Sequence, residues 1–266
     1  MEENSLLISV IIPMYNASET IVRVLNSVKN QTLKSDYEIL VINDGSKDNS
    51  KEIVEKYISE NIGSNVILID QLNGGVSKAR NAGLRASKGE LIAFLDSDDE
   101  WFPDKLEKQK QILNNNPEID LLGCAFDGLY FNKLSDGELL EIKVDQLIFK
   151  NYFQPSTVIL KRKVFEYIGY FDENQKYAEE GNYFIRIAEN FNCFFCNMKV
   201  INYGDGKSGF GASGLSANLK EMHRGFIKNL KFAYSNNLIS FGQYMLARIV
   251  EQLKYVRRVL IVGLKK

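Results

Sequence analysis

Apolar residues in this chain fall into short unbroken runs that alternate with stretches of helical periodicity. The first run covers residues 6–15, with Leu6, Leu7, Ile8, Val10, Ile11 and Ile12 in near succession. A strand this uniformly apolar is one covered on both faces. Ser18 then stands as the N-cap of a predicted helix over 18–31, whose Ile21, Val22, Leu25 and Val28 share one face. The pattern repeats with a strand at 37–42, a sharp turn at Asn43-Asp44-Gly45-Ser46, a helix to 62 and a strand at 66–69. Gly74-Gly75 opens a helix that runs through Arg80 to 86, a fourth strand spans 91–95, and a helix at 105–113 stops before Pro117. Strands alternating with helices predict an α/β fold, a doubly wound and mainly parallel sheet with helices on both faces.

Beyond residue 120 the rhythm changes. Residues 121–130 read as a strand, 132–141 as a turn-rich segment with a hairpin signal at Asp136-Gly137, and 154–160 as another strand. A loop at 169–177, a helix at 180–190 and a strand at 193–201 follow. Five glycines and three serines between 204 and 216 predict a mobile loop. Residues 218–266 read as one or two helices. The expected division is a main domain over 1–203, a linker over 204–217 and a helical extension over 218–266.

Composition changes this picture little. Charged residues make up 25% and hydrophobic residues 45% of the 266, and a net charge of −1 gives no global field for nucleic acid. No apolar run approaches the roughly 18 residues of a membrane span, and residues 1–5 lack a signal-peptide pattern. Three cysteines in this length fit a reducing, cytoplasmic compartment. Cys193-Phe-Phe-Cys196 has redox or zinc spacing, but no second pair completes a zinc site, and its aromatic filling reads as a buried strand.

The chemistry collects where the fourth strand ends. Asp96, Asp98 and Asp99 follow an apolar run directly. Three such carboxylates repel one another and raise each other's pKa unless something positive lies between them. A hard divalent cation, Mg or Mn, supplies that charge and keeps positions open for a phosphate. Open α/β sheets bind ligands at this end of their strands. Asp98 or Asp99 capping a helix near Pro103 is the plainer reading, and both can hold together.

Five motifs then occur in order: Ile-Ile-Pro-Met-Tyr-Asn, Val-Ile-Asn-Asp-Gly-Ser, Asn-Gly-Gly-Val-Ser-Lys-Ala-Arg-Asn, Phe-Leu-Asp-Ser-Asp-Asp and Glu-Glu-Gly-Asn-Tyr-Phe-Ile-Arg. Over about residues 6 to 200 the chain resembles family 2 inverting glycosyltransferases of the GT-A fold, of the bacterial surface-polysaccharide type. The resemblance implies transfer of a sugar from a nucleotide-diphosphate donor, most readily a UDP-sugar, to a glycan or lipid-linked glycan acceptor. It places Pro13, Tyr15 and Asn16 at the nucleotide base, Asp44 on a uracil-type imide and Arg80 by the diphosphate. Asp96 falls at the ribose and Asp98 at the metal. Asn73 and Gly75 shape a turn, and Asp99 or Trp101 would line the sugar pocket. Glu180 matches the general base, although the family usually carries Asp there; the extra methylene leaves Glu179 as the alternative. N-terminal helix charge is the structural alternative for the pair.

Competing enzyme classes lack their signatures. The first strand is followed by Pro-Met-Tyr-Asn-Ala-Ser, with no glycine-rich turn for a dinucleotide, and no P-loop is present. A nucleotidyltransferase shares the fold type and the metal but needs a basic glycine-rich loop after that strand. A nucleotide-sugar-binding subunit without catalysis is the non-enzymatic alternative.

Two features lie outside the motifs. His223, the only histidine, is either a surface helix residue or a neighbour of the diphosphate. Between 248 and 266 stand Arg248, Lys254, Arg257, Arg258, Lys265 and Lys266 against one acid, Glu251. Ile249, Leu253, Val256, Leu260 and Leu264 form an apolar stripe, with Glu251, Lys254, Arg258 and Lys265 on another face. Such a helix docks on its own domain, on a second subunit, or on the inner face of the cell membrane.

Overall fold

The computed structural model describes residues 7–33, 37–203 and 215–264. The predicted loop at 204–216 lies almost wholly outside the described residues, as do Lys265, Lys266 and residues 1–5.

The first half is a strand–helix alternation: β1 (Ile8–Met14), α1 (Ile21–Lys29), β2 (Tyr37–Asp44), α2 (Ser50–Glu60), β3 (Val66–Gln71), α3 (Val76–Ala86) and β4 (Leu91–Phe94). β5 (Glu100–Trp101), α4 (Lys105–Asn115), β6 (Leu121–Ala125), β7 (Leu139–Glu141), α5 (Val144–Leu147), β8 (Ile159–Lys161) and α6 (Arg162–Ile168) follow. The chain closes with α7 (Glu179–Asn190), β9 (Cys193–Lys199), β10 (Ile201–Asn202), α8 (Leu219–Ser235) and α9 (Phe241–Leu264).

Eight strands form one sheet in the order β3-β2-β1-β4-β8-β6-β9-β7. β1 pairs in parallel with β2 and β4, β2 with β3, and β6 with β9, whereas β8 runs antiparallel to both neighbours. The uninterrupted apolar runs follow from a core on each face. Ile11, Ile92 and Phe94 point to one side; Val10, Ile12 and Ala93 point to the other. α1 caps the second side with Ile21, Val24, Leu25 and Val28. The C-terminal ends of β1, β2 and β4 therefore open along one edge, each followed by a loop.

Several expectations are corrected. Ser18 is not an N-cap: α1 begins after Thr20, and the Ser18 N–H donates to Asp48 Oδ2 at 3.1 Å. Thr20 Oγ1 instead reaches the Ser97 carbonyl at 2.5 Å, fastening α1 to the loop after β4. The strand expected over 154–160 is a 3-10 turn, Pro155–Thr157, leading into the short antiparallel β8. Pro155 has no N–H to give a ladder, and Thr157 folds back onto the Gln154 carbonyl. α6 occupies a stretch with no predicted element. Asp136-Gly137 does turn, with Gly137 at φ 78°, but β7 pairs with β9 rather than forming a hairpin with β6. The buried Asn197 side chain explains this, because it holds the Phe131, Leu134 and Ser135 carbonyls and draws that loop onto β9. Cys193 and Cys196 are buried, unpaired strand residues.

The C-terminal extension is two helices. α8 buries Leu230 and Ala233 in the usual way, whereas α9 reverses the arrangement and turns its charged side inward. Glu251 is buried, with His223 Nδ1 3.3 Å from its carboxylate and Arg258 as its ion-pair partner, and Lys254 donates to the Phe149 carbonyl. His223 stacks on Tyr255 at 4.5 Å, so its ring belongs to the α8–α9 contact.

α8 approaches the main domain through Gly225. A Cβ there would lie 2.3 Å from the Tyr177 carbonyl oxygen, a backbone atom that cannot step aside. Gly225→Ala is expected to destabilise the protein by about 1–3 kcal/mol in urea melts. Gly242→Ala in α9, whose Cβ would meet only Ser240 Oγ at 3.9 Å, should be neutral or stabilising by up to about 1 kcal/mol.

Candidate active site

A cleft of about 870 Å³ lies along the strand-end edge. Pro13, Tyr15, Asp44, Arg80, Asp96, Asp98 and Glu180 all line it. Asn16 is not among the lining residues. Its backbone is left-handed at φ 50°, its Oδ1 accepts from the Lys47 N–H at 2.8 Å, and its own N–H donates to Ser46 Oγ. It therefore ties the loop after β1 to the loop after β2.

Asp44 ends β2 and is 4% exposed. Oδ1 accepts from Gln71 Nε2 and the Gly74 N–H, and Oδ2 from the Gly75 N–H at 2.8 Å. Gly75 at φ 88° precedes α3, a conformation that suits glycine. One carboxylate thus shapes the Asn73–Gly74–Gly75 loop, and Asn73 returns a bond to the Asp44 carbonyl. The second lone pair of Oδ2 is what this arrangement leaves for a ligand donor.

The three acids after β4 stand in different surroundings. Asp96 accepts from Arg80 at 2.9 Å. Asp99, 1% exposed, accepts from Ser156 Oγ at 2.6 Å and Gln154 Nε2 at 3.0 Å, and Ser156 also receives the Asp96 N–H. Trp101 is 3% exposed, its Nε1 donating to the Ser156 carbonyl. Asp99 and Trp101 are thus framework, and neither lines the cleft. Asp98 is exposed, and its carbonyl accepts from Arg23.

Arg80 is buried to 3% exposure, with one terminal nitrogen on Asp96 and the other on Glu179, both at 2.9 Å. Burial disfavours its charge, but Asp96, Glu179 and Glu180 outweigh that and raise its pKa above the ordinary guanidinium value. Two of its five N–H donors are used on these carboxylates, and its buried Nε has no hydrogen-bond partner in the protein. Arg80 is a strut between the end of β4 and the start of α7.

Glu179 is 5% exposed, while Glu180 beside it is half-buried. Desolvation, then the negative charge of Glu179, push the Glu180 carboxyl up to about 8, against the pull of Arg80. The pair is presented by strained backbone: Ala178, the N-cap of α7, is left-handed at φ 53°. Asn229 Nδ2 holds the Ala178 carbonyl at 2.8 Å, Gln175 Nε2 holds it at 3.1 Å, and the two side chains bond each other at 2.7 Å. α8 therefore fixes the position of the Glu179–Glu180 pair through Asn229. Sequence reasoning missed Gln154, Ser156, Gln175 and Asn229, for which no periodicity or local motif offers a signal. Tyr203, also missed, lines the cleft; burial first, then Asp99, Asp96, Asp98 and Glu180, raise its phenol pKa.

A divalent cation fits this donor set only in part. Among the described residues no three His, Cys, Asp or Glu side chains converge as a closed metal site. Asp98 offers an exposed hard oxygen ligand at an open cleft, as Mg or Mn needs when phosphate and water complete the shell. His223, engaged with α9, is not among the lining residues.

The raised Glu180 pKa has a thermodynamic consequence. Folded protein keeps this proton where the unfolded chain, at the ordinary value of 4.5, has lost it. Stability should therefore fall as pH rises from about 5 to about 8, by up to roughly 1.4 kcal/mol per unit. Urea melts across that range should show the decline, and Glu180→Gln should flatten it.

Comparison with known proteins identifies the family and the fold. The sequence model described as glycosyl transferase family 2 matches residues 9–178, more than half the chain, ending just before Glu179. An uncharacterized glycosyltransferase of Rickettsia typhi is 31% identical over 214 residues, covering 76% of this chain and 65% of the relative. The chain thus spans less than two thirds of that relative's length. Among solved structures, Staphylococcus aureus TarS 1-349 in complex with UDP superposes with a TM-score of 0.64 at 23% identity, over 85% of this chain and 65% of that one. The Pyrobaculum calidifontis mannosyltransferase PcManGT, in complex with GDP-Man and Mn2+, does so with a TM-score of 0.69 at 18% identity, over 92% and 68%. At these identities the two structures speak for the fold. A family match across the strand-end motifs, on a sheet of this topology, makes the chain a glycosyltransferase of family 2 with the GT-A fold.

Proposed function

We propose that the chain moves a sugar from a nucleotide-diphosphate sugar, a UDP-sugar first, to an acceptor hydroxyl with inversion. The acceptor is a glycan or lipid-linked glycan of a cell-surface polysaccharide such as O-antigen or capsule, built on the cytoplasmic side. The observation that carries this reading is Glu180, a half-buried carboxyl with a raised pKa in the same cleft as Asp98. The UDP and GDP-Man held by the two solved neighbours support a nucleotide-sugar donor.

In this reading Tyr15 and Pro13 flank the base, Asp44 Oδ2 accepts from the uracil imide, and Asp96 faces the ribose. Glu180 takes the proton of the acceptor hydroxyl. The acceptor oxygen forms a bond to the anomeric carbon on the side opposite the diphosphate, and the carbon–oxygen bond to the diphosphate breaks, its electron pair leaving with the phosphate. A cation on Asp98, Mg or Mn, would stabilise the charge that gathers there. Glu179 is held in an ion pair with Arg80, which favours Glu180 as the base.

Three measurements test the assignment. Glu180→Gln should lower kcat by about 10²- to 10⁴-fold while donor-induced thermal shifts persist. A crippled Glu179→Gln beside a near-normal Glu180→Gln would reverse the two roles. The pH profile of kcat/KM should rise with an apparent pKa of about 8, on an acidic limb absent from Glu180→Gln.

Asp98→Ala should keep its fold and lose metal-dependent transfer. Thermal-shift screens of nucleotide sugars with Mg or Mn should show stabilisation in the unmodified protein only. Metal-dependent activity surviving in folded Asp98→Ala would remove that residue from the site.

A further inference from the structure

α9 turns its apolar side away from the domain. Ile249, Leu253, Val256 and Leu260 are 56%, 66%, 46% and 60% exposed, while Ala247 and Glu251 on the opposite side are buried. The helix has 24 residues, roughly 36 Å at 1.5 Å per residue, and the stripe runs along it for about three turns. At 3.6 residues per turn Arg248 and Arg257 fall on its two borders, and both are exposed. The only acid of α9, Glu251, is enclosed on the inner side by His223 and Arg258. The outward side is thus apolar along its centre and cationic along both edges, with no negative charge from its own helix.

We propose that this face lies flat on an anionic lipid bilayer, with the aliphatic stripe in the acyl boundary and Arg248 and Arg257 at the headgroups. A helix with this cross-section suits an interface, where apolar burial and attraction to anionic lipid add. Insertion across the bilayer is not the fit, because no described helix is long and apolar enough to span it. A second copy packed on the same face would bring both arginine edges to one seam without a carboxylate from either α9. An anionic leaflet supplies the missing negative charge. The inward polar face matters here, since Glu251, Lys254 and Arg258 are engaged with the protein and leave α9 fixed with its apolar side outward. The proposal is independent of the sugar-transfer chemistry.

The test is flotation of the full chain with phosphatidylcholine vesicles, with and without phosphatidylglycerol, at low and high salt. The chain should float with the anionic vesicles at low salt, and binding should weaken as salt rises. Arg248→Ala/Arg257→Ala should lower partitioning about 30-fold, equivalent to roughly 1 kcal/mol for each cation. Leu253→Glu/Leu260→Glu should abolish flotation with an unchanged melting curve, because both side chains point outward. The proposal is overturned if the unmodified chain stays in solution beside anionic vesicles, or if the glutamate variant floats as well as the unmodified chain. A concentration-dependent dimer that ignores vesicles and is dispersed by Leu253→Glu/Leu260→Glu would overturn it too, assigning the face to a second copy.

Discussion

The guanidinium of Arg80, buried between Asp96 and Glu179, is the contact on which the cleft depends. It joins the end of β4, where the donor side of the cleft is built, to the first turn of α7, which carries the proposed base. Neither element meets the other through backbone pairing, so their spacing is set by this side chain and by the packing beneath it. Phe171 lies under the guanidinium at 5.4 Å, and Phe171 stacks in turn on Tyr183 of α7 at 3.9 Å. A buried ion pair of this kind adds little net stability over an apolar substitute, whereas losing one partner leaves an uncompensated charge at a cost of roughly 3–5 kcal/mol. Its value lies in geometry. Both carboxylates are held at one distance from a rigid planar fork.

The same contact shows where sequence reading succeeds and where it stops. β1 to β4 and the helices between them were legible because their strands carry short, nearly continuous apolar runs, and β1, β2 and β4 have a core on each face to match. The cleft was legible because parallel strands deliver their terminal residues to one edge. The partner of Arg80 was not legible. A motif places an arginine near acids, but Glu179 and Asp96 lie 99 and 16 residues from it along the chain, and only the fold decides that they take both of its terminal nitrogens. At Asn16 and Trp101 the structure shows scaffold contacts, because a polar or aromatic residue near a site serves equally well as framework. Asn16 uses its side chain on Lys47, and Trp101 uses its indole N–H on Ser156. The antiparallel β8 and the β7–β9 pairing were hidden because three-residue strands carry no readable period.

Helical periodicity identified α9 as amphipathic, but amphipathicity does not say which side faces the protein. The default places the apolar side inward. Here α8 offers His223 to Glu251 across the α8–α9 contact, and Arg258 pairs with Glu251 from within α9, so the polar side is satisfied internally. Burying Glu251 without these two partners would be costly, and with them the inward orientation is fixed. The apolar stripe is left outside as a consequence of where the charges find partners.

Burial also separates the roles of carboxylates that the motifs present as equals. Asp44, Asp99 and Glu179 are 4%, 1% and 5% exposed, and each is committed to donors that hold a loop, a turn or a strut. Asp98 is exposed and Glu180 half-buried, and both line the cleft. A proton acceptor needs this intermediate setting. Deep burial against a cation would fix the charge permanently, and full exposure would leave the pKa too low to draw a proton from a hydroxyl. Glu180 gains basicity from desolvation and from the negative charge of Glu179, while Arg80 restrains the shift. Glu179, held by Arg80, fixes the start of α7, and Glu180 beside it lines the cleft.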